Sequence, residues 1–255
     1  MAVVLEGGCR VSRMREGEPF TIANVRLWSA IDREHGAQAI SLRIMEFASG
    51  LSAGMCNRDC DEVLYLLNVE GATTVFIDGW AYEVSGDTGI YLRPRQTLTV
   101  RNGVSEPIVM VSSRCPEPQS TVDFVSPQTR PAVGATPPAS SPIVRLADKA
   151  PQATADRWYR VLVDDEIGSQ QVTQFVGSIP PGRAPDHFHN YEEVLFILKG
   201  EGRMWAGATN TPIGVGSCIY LPKGQVHCVE NTGASELRLL GVFYPAGSPS
   251  VRYDV

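Results

Sequence analysis

Three of the four histidines in this chain of 255 residues fall within two short segments of its second half. His187 and His189 are two residues apart, and Glu193 follows in the same segment. His227 belongs to the second segment. Three imidazoles and one carboxylate form a ligand set for a divalent transition metal. The spacing therefore predicts a metal centre, and positions left open on the metal could hold water, O₂ or a substrate.

The elements that carry these side chains can be inferred from strand geometry. Residues two apart in a strand point to the same face, so His187 and His189 should aim in one direction. The apolar run 194–198, VLFIL, is typical of a buried strand. The turn signal Pro-Lys-Gly at 222–224 precedes His227. We therefore expect His227 to reach the site from a neighbouring strand.

Alternation along the first segment also sorts the remaining polar residues. Tyr191 shares the parity of His189 and Glu193, which makes it the candidate catalytic residue. Glu192 has the opposite parity and should point away from the site. His35, alone in the polar stretch DREHG, is expected at the surface.

The two segments resemble the paired motifs of the cupin superfamily. The first motif contains Gly, His-x-His, Glu and Gly, and the second contains Gly, Pro-x-Gly, His and Asn. Matching residues are Gly182, His187, His189, Glu193 and Gly200 in the first, and Gly216, Pro222, Gly224, His227 and Asn231 in the second. The chain departs from the first motif by one residue, because four residues rather than five separate Gly182 from His187.

An internal repeat indicates that the chain is duplicated. EEVLFILKGEG at 192–202 aligns with DEVLYLLNVEG at 61–71, and IYLPKGQVHCVEN at 219–231 aligns with IYLRPRQTLTVRN at 90–102. In this alignment Glu62 matches Glu193, but the three histidines are replaced by Cys56, Arg58 and Leu98. An inward guanidinium at Arg58 would repel a cation. The first copy is therefore predicted to be metal-free, with one divalent metal bound per chain.

Short runs of β-forming residues with turn signals between them, such as the hairpin signal Asp78-Gly79, predict an all-β chain. The resemblance narrows this to two tandem double-stranded β-helix barrels, the jelly-roll fold of cupins. Residues 116–142 hold seven prolines and few large apolar residues, which is typical of a linker. We predict an N-terminal barrel with a degenerate site at 1–115, a linker at 116–157 and a C-terminal barrel with the intact site at 158–255.

Composition limits the partners. The chain has 22 basic and 28 acidic residues, a net charge of −6, and no basic cluster, which argues against nucleic acid. No signal peptide or membrane-spanning apolar run is found, so a cytoplasmic protein without a membrane partner is expected. Six cysteines without a Cys-x-x-Cys pair are expected to be reduced thiols. The sequence leaves open whether the chain forms a homodimer.

The resemblance implies three classes of function. The main prediction is an enzyme, a dioxygenase-like oxidoreductase that acts on a small oxygenated molecule through a mononuclear centre. One alternative is a metal-dependent isomerase, lyase or decarboxylase of a sugar or organic acid, and another is a cupin that binds a small ligand without turnover. Ligand type alone leaves Fe, Mn, Ni, Zn, Co and Cu open.

Overall fold

Extended backbone accounts for nearly all of the regular structure. The computed structural model describes residues 1–67, 69, 73–116, 122–154, 156–251 and 253–254. The helices within these ranges are 3₁₀ turns of three residues each, at Glu6–Gly8, Arg33–His35, Leu146–Asp148 and Asp165–Ile167. None of them has the length and apolar character that crossing a bilayer requires. Residues 68, 70 and 71 of the repeat, and 117–121 and 155 of the predicted linker, lie outside the described residues.

The strands of the described ranges form four antiparallel sheets, two from each copy of the repeat. The N-terminal large sheet has the order Ile143–Arg145, Thr88–Leu92, Asp61–Leu66, Ile108–Cys115, Leu42–Phe47, Val25–Ile31 and Phe20–Ile22. The N-terminal small sheet has the order Trp80–Val84, Thr73–Ile77, Thr97–Asn102, Gly54–Asn57 and Val122–Val125, with Gly50–Leu51 also paired to Thr97–Asn102.

The second copy repeats this plan. The C-terminal large sheet has the order Val3–Val4, Arg10–Arg13, Ser217–Leu221, Glu192–Lys199, Leu237–Tyr244, Thr173–Ile179, Arg157–Val163 and Gln152–Thr154. The C-terminal small sheet has the order Thr209–Gly214, Glu201–Ala206, His227–Asn231, His187–Phe188 and Tyr253–Asp254, with Gly182–Arg183 also paired to His227–Asn231.

Each large sheet packs on the small sheet of its own copy around an apolar core. In the C-terminal copy, Leu195 and Ile219 of the large sheet share a buried cluster with Met204 and Val229 of the small sheet. An equivalent cluster fills the N-terminal copy. Two facing sheets with alternating inward residues are the jelly-roll solution to exposed sheet edges. The prediction of two tandem jelly-roll barrels is thus confirmed.

Turn chemistry behaves as the sequence predicts. Asp78 and Gly79 join the strands Thr73–Ile77 and Trp80–Val84, and both have positive φ angles, 51° and 82°. Two consecutive residues with positive φ are what a tight hairpin with a primed turn requires.

A third apolar core joins the two barrels, because their large sheets also pack through their outer faces. At its edge the carboxylate of Glu192 accepts hydrogen bonds from the backbone N–H of Gln38 at 2.9 Å, that of Ala39 at 2.7 Å and the Tyr220 hydroxyl at 2.6 Å. Glu192 therefore points away from the candidate site, as its parity predicts, and fastens the second barrel to the first.

The two barrels exchange strands. Each large sheet includes a strand from the segment that precedes the other barrel in the sequence. Arg10–Arg13 pairs with Ser217–Leu221 in the C-terminal large sheet. Ile143–Arg145 pairs with Thr88–Leu92 in the N-terminal large sheet. Pairing thus crosses the predicted domain boundaries in both directions, and the boundaries at 115 and 157 stay a prediction.

Candidate metal centre

The two histidine segments meet at the interface of the two C-terminal sheets. His187 lies directly opposite His227 in the small sheet, and Glu193 lies opposite Leu221 in the large sheet. One donor nitrogen from each of His187, His189 and His227 can be chosen such that all lie within 4.8 Å of one another. The Nε2 atom of His189 is 3.8 Å from Oε2 of Glu193. Folding therefore brings the three histidines together and places Glu193 beside one of them.

Main-chain carbonyls orient the three rings. The Nδ1 atoms of His187 and His227 lie 2.9 Å and 2.8 Å from the carbonyl oxygens of Pro185 and Gln225, each two residues earlier in the chain. A carbonyl can only accept a hydrogen bond, so Nδ1 carries the proton and Nε2 keeps its lone pair. Hydrogen bonding of one ring nitrogen to a carbonyl is the usual support of a metal-binding histidine.

His189 is oriented by a more distant partner. Its Nδ1 lies 3.0 Å from the carbonyl oxygen of Val251. No pattern in the sequence predicted this contact. No local motif encodes it, because Val251 is 62 residues away along the chain.

Burial controls the protonation of the site. It lowers the pKa of His189 to about 4 and that of His227 to about 3, with the nearby His187 as a further cause for both. Burial also raises the pKa of Glu193 to about 8. At neutral pH the rings of His189 and His227 are therefore uncharged donors. A carboxyl group with this pKa lacks a compensating positive charge in its surroundings.

The donor set fits a divalent transition metal. Three imidazole nitrogens and one carboxylate oxygen, without a thiolate, suit Mn, Fe, Co, Ni, Cu or Zn. A cation would supply the positive charge that buried Glu193 lacks, and the neutral rings would bind it without first losing protons. The assignment of His187, His189, Glu193 and His227 as ligands stays a prediction that this geometry supports.

Tyr191 packs behind the site. Its ring stacks on His189 at 4.6 Å between centroids and on Phe243 at 4.3 Å. Burial, followed by the charge of Glu193, raises the pKa of its phenol. It is absent from the described side chains that line the adjoining cavity. These contacts support the His189 ring, and a catalytic role for Tyr191 stays a prediction.

A small cavity of about 130 Å³ adjoins the three histidines and Glu193. Most of its wall is apolar, and the side chains that set this character are Trp158, Phe175, Ile179, Leu195, Val229 and Leu239. An apolar protein cavity of about 150 Å³ holds a benzene molecule. The space therefore suits a small organic ligand with an apolar body.

Arg157 also lines the cavity, and no pattern in the sequence singled it out. Its side chain is 17% exposed and forms an ion pair of 3.0 Å with the more exposed Asp156. It opens the strand Arg157–Val163, and only the fold brings that strand to the histidines. The charge of Arg157, although paired with Asp156, would favour an anionic ligand nearby.

The N-terminal counterpart of the site corrects two sequence equivalences. Met55 lies opposite Leu98 as His187 lies opposite His227, so Met55 and not Cys56 takes the position of His187. Two residues on, Asn57 and not Arg58 takes the position of His189. The alignment missed this because Asn57 and Glu62 are separated by one residue more than His189 and Glu193. A shift of one residue moves a strand side chain to the opposite face.

Arg58 consequently points outwards and not into the barrel. Its side chain is 69% exposed and pairs with Asp123. The inward guanidinium is that of Arg43, which bonds the buried carboxylate of Glu62 at 2.6 Å. Ser112 and Asn57 donate further hydrogen bonds to Glu62. A charged side chain of the protein thus stands where a metal would be needed, which supports a metal-free first copy.

Comparison with known proteins agrees with this architecture. A family profile described as the cupin domain matches residues 175–243. Auxin-binding protein 1 of Arabidopsis thaliana is 30% identical over 158 residues, which cover 56% of this chain and 76% of that protein. An oxalate-binding protein of Thermotoga maritima is 36% identical over 66 residues, which cover 25% of this chain and 54% of that protein.

Among solved structures, a point mutant of Bacillus subtilis oxalate decarboxylase matches with a TM-score of 0.76. The match covers 96% of this chain and 79% of that one, at 13% sequence identity. At this identity the similarity establishes the fold alone, and it spans both barrels.

Proposed function

Since this chain belongs to the cupin superfamily, as a bicupin with one complete set of candidate metal ligands, we propose that it is a metal-dependent lyase that decarboxylates a small organic acid. The observation that carries the proposal is the meeting of three imidazoles and Glu193 beside an apolar cavity that Arg157 also lines. The fold shared with oxalate decarboxylase adds support. Four residues, His187, His189, Glu193 and His227, would hold the metal.

A bound divalent metal would supply a Lewis-acidic position for a carboxylate or enol oxygen. The chain supplies the surroundings. Trp158, Phe175 and Leu195 are apolar walls that would surround the body of the substrate, and Arg157 would attract its carboxylate. In the reaction, the bond between the substrate carbon and its carboxylate breaks and carbon dioxide leaves. The electron pair stays on that carbon, and a proton from water completes the product.

The cavity limits the substrate. The part of a ligand beside the histidines has a volume of about 130 Å³ to occupy, and the wall around it is mainly apolar. We propose a monomeric acid with an apolar body, which would bury that body among the aromatic side chains. Ser250 is exposed and lines the cavity, so it marks the side on which solvent meets the site.

The second candidate is a binding cupin without turnover. One observation favours it: Glu193 is the only carboxylate among the described residues that line the cavity, and it belongs to the ligand set. No separate acidic side chain of that lining is then available to transfer a proton. The names of two relatives, an auxin-binding and an oxalate-binding protein, are consistent with this candidate.

The dioxygenase predicted from the sequence is not confirmed. The same ligand set would serve it, but the similar solved structure is that of a decarboxylase. This leaves the decarboxylase, an alternative in the sequence interpretation, as the better supported function.

One experiment separates the three functions. Chain purified without added metal is analysed for its elements and then loaded with the metal found. It is next incubated with oxalate and with small aryl- and alkyl-substituted carboxylic acids, while carbon dioxide release and O₂ uptake are recorded together. Carbon dioxide release without O₂ uptake is the expected result.

The other outcomes contradict the proposal in different ways. O₂ consumption in step with substrate loss would restore the dioxygenase. Saturable binding of an acid, detected by calorimetry, with neither gas changing would favour the binding cupin. A His187→Ala variant is the control, because background decarboxylation would persist in it.

A further inference from the structure

The segment of residues 247–251 and 253–254, called here the C-terminal strap, makes three kinds of contact with the candidate metal centre. The strand Tyr253–Asp254 pairs with His187–Phe188. The ring of Tyr253 stacks on that of Phe188, with centroids 5.3 Å apart and planes inclined by 22°. The carbonyl of Val251 accepts the hydrogen bond of His189.

The start of the strap is fixed to the body of the barrel. The hydroxyl of Thr173 donates to the carbonyl oxygen of Gly247 at 3.0 Å and accepts from its backbone N–H at 3.1 Å. Further on, the backbone N–H of Val251 donates to the carbonyl of Ser248 at 3.1 Å. These bonds shape the turn that presents the Val251 carbonyl to His189.

His189 depends on the strap in a way that the other two histidines do not. The carbonyls that orient His187 and His227 belong to their own loops, two residues away. If the strap moved, those rings would keep their partners, whereas His189 would lose the acceptor that holds its proton on Nδ1. Its Nε2 faces Glu193 only in the present ring orientation.

The same segment closes the cavity, since Pro249 and Ser250 line it together with the histidines. We propose that the C-terminal strap positions His189 as a metal ligand and forms one wall of the ligand cavity, so that metal affinity and ligand access depend on a single segment. The proposal rests on the proposed metal centre. Val251 and Tyr253 are positioning residues in it, because they act through His189 and Phe188.

The N-terminal barrel provides a matched control. There the strand Val122–Val125 pairs with Gly54–Asn57, as Tyr253–Asp254 pairs with His187–Phe188. Phe124 in this strand stacks on Phe20 at 5.6 Å. This barrel lacks the histidines, so loosening its equivalent strand costs packing but touches no metal ligand.

The test measures Co²⁺ affinity by competition with a chromophoric chelator, together with the visible spectrum of bound Co²⁺. Tyr253→Ala should lower the affinity about 10–100-fold, as changes in groups that orient metal ligands do. Tyr253→Phe keeps the stacked ring and should have the Co²⁺ affinity of the unaltered chain. A chain that ends at Gly247 removes the Val251 carbonyl and should lose at least as much affinity as Tyr253→Ala.

Phe124→Ala should lower the melting temperature of the metal-free chain without changing Co²⁺ affinity. Melting curves of every variant in the metal-free form identify losses caused by unfolding. Unchanged Co²⁺ affinity in both Tyr253→Ala and the shortened chain would contradict the proposed role of the C-terminal strap without contradicting the metal centre. Failure of the unaltered chain to bind Co²⁺ would overturn the metal centre and, with it, the strap.

Discussion

At the scale of single residues, the two barrels differ in what surrounds their buried carboxylates, Glu193 and Glu62. In the second barrel, buried Glu193 stands beside three imidazoles and has no cationic side chain among its contacts described above. In the first, buried Glu62 receives a guanidinium, a hydroxyl and an amide. A buried carboxylate needs such partners because its desolvation is costly. The protein supplies them itself for Glu62, whereas a bound cation would supply the missing positive charge for Glu193.

Replacement of His187, His189 or His227 by Ala should remove a donor and lower metal affinity by more than about 100-fold, which exceeds the effect of losing an orienting group. The metal-free melting temperature should hardly change, because apolar sheets and not the ion hold the barrel. Metal content and circular dichroism measured on the same samples test this. His35→Ala is the control, since His35 lies outside the site and pairs with Asp32. Loss of β signal together with metal would mean that the site is structural.

Arg43→Met should destabilise the chain by about 3–5 kcal/mol, because it leaves Glu62 buried without its cation. Arg58→Met, at an exposed ion pair, should change the free energy of unfolding by less than about 0.5 kcal/mol. Urea denaturation of both variants gives the comparison. If the two changes cost the same, Glu62 is not neutralised by Arg43 as the structure indicates. Metal content should stay as in the unaltered chain in both.

At the scale of strands, Glu236 joins two neighbouring strands of the C-terminal large sheet, Thr173–Ile179 and Leu237–Tyr244, near the cavity. Glu236 accepts a hydrogen bond from the Ser178 hydroxyl at 2.7 Å and one from Arg238 at 2.6 Å. The hydrogen bond from Ser178 is the largest cause that lowers the pKa of Glu236 below its usual value; partial burial opposes it, and the charge of Arg238 lowers the pKa further. Ser178 also lines the cavity, so this pairing helps to hold one of its walls.

The lowered pKa predicts a pH dependence of stability. A carboxylate with a depressed pKa in the folded state contributes stability above the unfolded pKa, about 4.3 for Glu. This contribution is lost as pH falls through the folded pKa. Glu236→Gln should therefore be less stable than the unaltered chain at neutral pH, and the difference should shrink as the pH falls below about 4. Urea midpoints across this range test it, and a constant difference would contradict the assignment.

Sequence patterns predicted the elements whose signals are local. The Asp78-Gly79 hairpin and the run 194–198 follow from turn chemistry and β-forming residues. The pairing of Arg10–Arg13 with Ser217–Leu221 could not be predicted, because nothing in a short strand specifies a partner about two hundred residues away.

The same reason explains what was missed at the sites. Val251 and Arg157 reach the metal centre only through tertiary packing. Arg43 gave a weak signal, as a charge inside the apolar stretch SLRIMEF, but Arg58 appeared nearer to the motif. A single inserted residue between Asn57 and Glu62 then reversed which face Arg58 occupies. A gap of this kind becomes visible only from strand register.

At the scale of the whole molecule, two barrels of one design are joined through a shared apolar core. The contacts repeat approximately: the Tyr220 hydroxyl oxygen lies 3.2 Å from the Gly36 carbonyl oxygen, and the Tyr91 hydroxyl oxygen lies 3.5 Å from the Gly168 carbonyl oxygen. The candidate metal site belongs to the second barrel, and the first barrel contributes the backbone N–H groups that bind the Glu192 carboxylate behind it.

Metal analysis of the loaded chain should give one tightly bound ion per chain. The second barrel brings its donors together, whereas the first has Met55 and Leu98 at two of the donor positions and Arg43 on its carboxylate. His187→Ala should reduce the stoichiometry towards zero. Two tight ions per chain, or one ion that persists in His187→Ala, would contradict the assignment of the site to the second barrel.

The exchange of strands between barrels bears on how the chain is made. Residues 10–13 leave the ribosome about two hundred residues before their pairing partner, residues 217–221. The first barrel in turn lacks an edge strand until residues 143–145 have emerged. During synthesis the early strand, with Val11 destined for the second core, must remain unpaired and exposed to other nascent chains. The barrel that holds the candidate metal site therefore closes after the first barrel, and a metal ion could bind there only once residues 217–227 have been synthesised.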